Sequence, residues 1–284
     1  MNKNSSPRLF LCYNINIMES FFIQVARMTV IQIITICGVF FVFSFLLSKV
    51  QAAILKNYSR SVGWRGVLWT AWLGTPVHEY SHALVALLFK HKINDVVLFS
   101  PDANTGELGH VNHSYNPKSL YQSIGNFFIG LAPLIIGPLV LVILLYALIP
   151  QGRELFNQLP SNYNLFTSLS EGIIKFLQSL FSPANLASYR FWIFLYFSFC
   201  LASHLAPSKS DLKGAWRGGI VIIFWLFIIN IFALLINRDI TVYILKASNF
   251  LTGLIKVYIY VLLISLIHFL LSFIILWPWR KRRN

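Results

Sequence analysis

Acidic residues are scarce in this 284-residue chain: nine Asp and Glu stand against 23 Lys and Arg, a formal net charge of +14. Charge of either sign is thin, at 11% of residues, where soluble domains average about 25%. A chain so poor in charge and 57% hydrophobic lacks the polar surface of a water-soluble domain. Three cysteines, Cys12, Cys37 and Cys200, are scattered without paired spacing, which excludes a disulfide framework and a cysteine metal knot. No small-residue cleavage pattern follows the first apolar run, so that run reads as an anchor and not as a removable signal. No internal repeat is evident. The basic excess lies between apolar runs and at the C-terminus, which suits loops facing anionic lipid and argues against a nucleic-acid partner.

What remains is the pattern of a multi-pass membrane protein embedded in a lipid bilayer. About 20 apolar residues cross the hydrocarbon of a bilayer, and six runs approach that length: 28–48, 66–89, 119–149, 189–206, 218–236 and 255–279. The expected fold is all-α, with about six transmembrane helices in a single domain over 28–279. An N-terminal segment, 1–27, precedes it, with Met1 and Met18 both offering a start, and a basic tail, 280–284, follows it. Lys49, Lys56, Arg60 and Arg65 mark a basic loop between the first two spans. Pro76 predicts a kink or restart in the second span. Between Lys90 and Tyr115 the character changes. Val96–Phe99 and Leu108–His113 read as strands around the turn residues of 102–106, a small β-hairpin after the second span. Gln151–Ser188 reads as a polar loop whose portion 173–181 is amphipathic enough to lie on the bilayer surface. The even number of crossings puts both termini on one side, and a weak excess of Lys and Arg makes that side the cytoplasm.

Inside the second span stands His78-Glu79-Tyr80-Ser81-His82. Histidines four apart on a helix share a face, about 6 Å apart along the axis, and can hold one tetrahedral metal ion, zinc being the first expectation. Glu79 would then hold and deprotonate a water on that metal as general base. In a soluble helix the same residues read equally well as an amphipathic turn. Ionisable side chains inside a bilayer are costly and face functional interiors, which favours the metal. A third ligand is needed, and the few acids make the search short. Glu19, Glu154, Glu171 and Asp239 lie in loops or ends remote from the motif, while Asp95, Asp102 and Glu107 belong to the hairpin. Asp211 remains. Two crossings after the motif return the chain to the same membrane face there. Asp211 also reads as a helix cap opening the fifth span, but with two histidines it completes a two-His, one-carboxylate set. His204 and Asn126 are the reserves, as a spare ligand or as partners that orient one. His91 and His268 read as structural, the latter bonding Asn126 or a backbone carbonyl. His110 and His113 read as surface or interfacial groups, with a second or regulatory metal the lesser reading.

A His-Glu-x-x-His in an early span, a following hairpin, a third span rich in Gly, Asn and Pro, and a later Asp at the edge of another span together resemble the site-2 protease family of intramembrane zinc metalloproteases. The resemblance runs over about 66–214 and is sharpest over 76–88. It implies one zinc ion held by His78, His82 and Asp211, water activated by Glu79, and hydrolysis of peptide bonds in membrane-associated substrates. Two departures mark a minimal, divergent member from a bacterial branch, placed in the bacterial cell membrane. The family's Leu-Asp-Gly appears here as Ser-Asp-Leu-Lys-Gly, and no intervening loop is long enough for a PDZ-like domain. A helix hides its carbonyls, so substrate must unwind, and the hairpin over 96–113 offers an edge to which an extended segment can add as a strand. Two rival classes use the same ligands: a non-catalytic metal-binding membrane protein, which has no need of Glu79, and a metal transporter.

Overall fold

The computed structural model describes residues 7–159, 167–236, 238, 241–242 and 248–280. It is mostly helical, with one two-stranded sheet. In chain order come α1 (Pro7–Ser61), α2 (Trp64–Leu88), β1 (Lys92–Val97), β2 (His110–Ser114), α3 (Leu120–Gly130) and α4 (Ala132–Leu148). There follow α5 (Gly152–Gln158), α6 (Thr167–Leu180), α7 (Pro183–Leu186), α8 (Tyr189–Ala202), α9 (Lys209–Leu235) and α10 (Ser248–Ile275), with a closing 3-10 turn, Trp277–Trp279.

Helix α1 is one run of 55 residues, so the expected basic loop after the first span is a correction. Lys and Arg are good helix formers, and Lys49, Lys56 and Arg60 lie on the last turns of α1. The helix ends only where Gly63 takes a φ of 78°, a backbone state that suits glycine. Most of the segment expected to precede the first span is helical as well. Among the described residues three helical stretches are long and apolar enough to cross a membrane, Cys37–Ser61, Lys209–Leu235 and Thr252–Ile275; α3 and α4, bent by 55°, make a fourth if taken as one span. The other two expected spans differ for physical reasons. α2 has 25 residues but trades leucines for Thr, Pro, Glu, His and Ser. α8 has 14 residues, about 21 Å of helix against about 30 Å of hydrocarbon.

Proline breaks organise the bundle. An α-helical carbonyl accepts from the N–H four residues on, and proline has none. Pro133 therefore leaves the Ile129 carbonyl free at the bend between α3 and α4, and Pro138 leaves the Leu134 carbonyl free inside α4. The Tyr258 hydroxyl of α10 donates to the latter at 2.7 Å, and the ring of Tyr258 stacks on Phe43 of α1, with centroids 4.9 Å apart. Pro76 does not end or restart α2, which runs unbroken through it.

Glycines let α3 and α9 touch backbone to backbone. A Cβ on Gly218 would meet the Phe127 nitrogen at 2.3 Å. Polar side chains tie α1 to α9, where the Gln32 and Asn230 amides bond reciprocally, each donating at 2.9 Å. The stretch between α4 and α8 is largely helical, not the expected loop, and Phe176 and Leu180 of its amphipathic helix α6 are buried in the protein core. The strands pair antiparallel, Ile93 opposite His113 and Val97 opposite His110, with a bulge at Asn94. β1 begins four residues earlier than expected. Of the basic tail only Arg280 is described; it donates to Asn57 of α1 at 2.6 Å, and 281–284 lie outside the described residues.

Candidate metal centre

His78 and His82 share one face of α2, as their spacing requires, and their Nε2 atoms are 3.1 Å apart. Each ring is fixed from behind. His78 Nδ1–H donates to the His204 carbonyl at 2.6 Å, and His82 Nδ1–H donates to the Ile129 carbonyl at 2.7 Å. Both acceptors are carbonyls released by helix breaks. Ile129 loses its partner to Pro133, and His204 lies past the end of α8, just before Pro207. A carbonyl only accepts, so the proton of each neutral imidazole sits on Nδ1 and each Nε2 presents a bare lone pair.

Asp211 closes the set from α9. Ser208 caps that helix: its hydroxyl accepts from the Asp211 nitrogen at 3.2 Å, and the Asp211 carboxylate accepts from the Ser208 nitrogen at 2.7 Å, a capping box. The same carboxylate faces both imidazoles, with Oδ2 3.5 Å from His78 Nε2 and Oδ1 3.4 Å from His82 Nε2. The carboxylate that makes the cap is therefore also the one that faces the histidines. Gly130 makes the approach possible, since a Cβ there would meet the Asp211 carbonyl oxygen at 2.3 Å.

With both rings neutral, two lone pairs and a carboxylate converge without a proton between them and repel one another, and a cation removes that conflict. Donors on a tetrahedron with zinc distances of about 2.0–2.2 Å stand about 3.3–3.6 Å apart; the two imidazole–carboxylate separations, each to a different Asp211 oxygen, fall in that range, and the 3.1 Å between the imidazoles falls short of it. The donor set fits zinc with a fourth position open. Among the described residues His78, His82 and Asp211 form such a group of three, with ligand atoms within 4.8 Å of one another.

Glu79 is buried on the adjoining face, 8% exposed. A Cβ on Gly109, just before the second strand, would lie 3.1 Å from its Cγ, so the hairpin rests against the glutamate through a residue without a side chain. Glu79, both histidines and Asp211 line a cavity of about 1020 Å³, walled by the hairpin on one side and the first turns of α9 on the other. Asn126 lines it too, donating to the Ser123 carbonyl at 3.3 Å. The His204 ring is tied to the Thr70 hydroxyl at 3.2 Å, and in this structure His204 meets the motif through its carbonyl.

Comparison with protein-family models, curated proteins and solved structures finds no match for the chain.

The remaining histidines fall into three roles. Buried His91 donates from Nε2 to the Gln122 carbonyl at 2.8 Å, and its Nδ1 takes the Nδ1–H of His113 at 3.0 Å. Burial lowers the pKa of both, and in His113 the nearby His91 and His82 add to the effect. The pair pins the hairpin to the end of α2. His110 bonds Asp95 at 3.0 Å and Glu107 at 2.8 Å, and the Asp95 bond first, then Glu107, raises its pKa. His268 bonds the Tyr58 hydroxyl at 2.9 Å, not Asn126 or a carbonyl. Sequence reading missed Ile129 and Gly109. The signal for the first is Pro133, four residues downstream of a carbonyl it cannot satisfy; nothing in the sequence marks the second.

Proposed function

We propose that the chain is an intramembrane zinc metalloendopeptidase, a minimal and divergent member of the site-2 protease family. The observation that carries this reading is the meeting of two Nδ1-anchored imidazoles and the Asp211 carboxylate directly beside a buried Glu79. A structural zinc site has its four positions closed by protein, whereas three ligands and an open position suit catalysis. When bound, zinc would polarise a peptide carbonyl and make water acidic at neutral pH.

The residues of the chain do the rest. His78, His82 and Asp211 would hold the ion, and the His204 and Ile129 carbonyls keep both rings in the tautomer suited to it. Glu79 takes a proton from the attacking water and returns it to the leaving amine, the cycle a positioned carboxylate performs as base and then acid. Helix α2 and the hairpin shield this chemistry from bulk water. β2 lines the cavity through residues 110–113, so an extended substrate pairing with its backbone would bring a peptide bond past Glu79. The placement of a base directly after a ligand histidine favours hydrolysis over transport or metal sensing.

The test is cleavage of a generic transmembrane peptide by the purified protein in detergent. Cleavage that a chelator abolishes and added zinc restores supports the reading. Zinc uptake into proteoliposomes without peptide cleavage would replace it with the transporter.

A further inference from the structure

The wall of the cavity formed by α9 carries a ridge of positive charge. Lys209, Lys213 and Arg217 all line the cavity that holds Glu79. Successive members of this series are four residues apart, so they form one ridge along the helix with steps of about 6 Å. All three are exposed, and none bonds or pairs with any described residue. The acids of the same cavity are committed elsewhere: Glu79 to the chemistry, Asp211 to its cap and the two histidines, and Glu107 to His110. Three positive charges therefore line the cavity with no paired side chain among the described residues.

Basic residues are ordinary where a helix leaves a membrane, but Gly214 distinguishes this wall. It lies between Asp211 and the ridge, lines the cavity, and a Cβ there would meet nothing within 4 Å. Glycine inside a helix costs stability relative to alanine, and here no close packing requires it, unlike Gly130 and Gly218 on the same helix contact. The result is a bare lane of backbone leading along the basic ridge toward Asp211. An extended peptide repeats each face every two residues, about 6.6 Å, close to the step of the ridge.

We infer that Lys209, Lys213 and Arg217 bind carboxylates at alternate positions of an extended substrate segment, so that the enzyme selects acidic segments flanking the bond it cuts. This rests on the peptidase reading for its cleavage consequence, not for its binding consequence. The test uses two fluorescent peptides of one sequence, carrying either three Glu or three Gln at alternate positions. Binding to the full-length Glu79→Gln protein in neutral detergent is read by anisotropy. The Glu peptide binds about tenfold more tightly at low salt, the sum of three partly exposed charge pairs, and the advantage fades as salt rises. Replacing Lys209, Lys213 and Arg217 by Gln removes the advantage, while Gly214→Leu weakens both peptides. Zinc content reports that each variant is folded.

Equal affinity for the two peptides, or an advantage that survives the triple replacement, overturns the inference. So does a triple variant that keeps its peptide discrimination and loses only its response to phosphatidylglycerol over phosphatidylcholine in nanodiscs, which would make the ridge a lipid contact. Discrimination without cleavage of either peptide by the wild type upholds the acidic subsite and sinks the peptidase reading alone.

Discussion

Asp211 does two things at once, and a pair of substitutions separates them. Its carboxylate closes the capping box of α9 with Ser208 and stands 3.4 to 3.5 Å from the two imidazole Nε2 atoms. Ser208→Ala removes the hydroxyl that accepts from the Asp211 nitrogen and leaves the carboxylate in place. Loss of such a cap costs about 1 kcal/mol, and zinc affinity changes little. Asp211→Asn keeps the volume and an oxygen to accept from Ser208 but removes the charge that faces the imidazoles. Losing a partner one shell out already costs about 10–100-fold in metal affinity, so loss of a direct anionic ligand costs at least about 100-fold, or about 2.7 kcal/mol. Chelator competition measures the affinity, and thermal unfolding with and without zinc checks it independently. Zinc at about 100 times its dissociation constant stabilises the wild type by about 2.7 kcal/mol, and at the same concentration leaves Asp211→Asn nearly unshifted. Wild-type zinc affinity in Asp211→Asn, or equal loss of zinc in Ser208→Ala, would refute the assignment of the third ligand.

Gly130→Ala forces a Cβ to 2.3 Å from the Asp211 carbonyl oxygen and 2.7 Å from the Ala215 nitrogen; it destabilises by about 1–3 kcal/mol and lowers zinc affinity by displacing α9. Gly219→Ala, on α9, meets only the Phe127 ring at 3.5 Å; it raises stability by about 0.5–1 kcal/mol and leaves zinc affinity unchanged, as unfolding and chelator titrations will show. His110, held by Asp95 and Glu107, has a pKa raised above its ordinary 6.5. Its contribution to hairpin stability is therefore fully present below about pH 6.5 and is lost as pH rises through the raised value. Hydrogen exchange of the β1 and β2 amides, corrected for intrinsic rates, should quicken across that window in wild type and not in His110→Gln.

The half of the site on α2 was legible because helical spacing alone puts His78 and His82 on one face. Asp211 was legible because acids are so few. Whole membrane crossings do not explain where Asp211 sits. α8 is too short to cross by itself, and Asp211 reaches the histidines because α9 begins early, at the capping box of Ser208, and packs on α3 through Gly130 and Gly218. Charge misled at Lys49, Lys56 and Arg60, where hydropathy fell but helix propensity did not. The amphipathic stretch around Phe176 signalled a buried face correctly, yet periodicity does not say whether lipid or protein covers it. The anchoring of the imidazoles was hidden for another reason: which carbonyl a proline frees is written in the sequence, but which side chain reaches it depends on how separate helices pack.

The most direct test of the central claim is to measure zinc content and peptide cleavage in one preparation of the Glu79→Gln protein beside the wild type. The account predicts one zinc per chain in both, and cleavage in the wild type alone. Full cleavage by Glu79→Gln, or a wild type that cleaves without any bound metal, would contradict it.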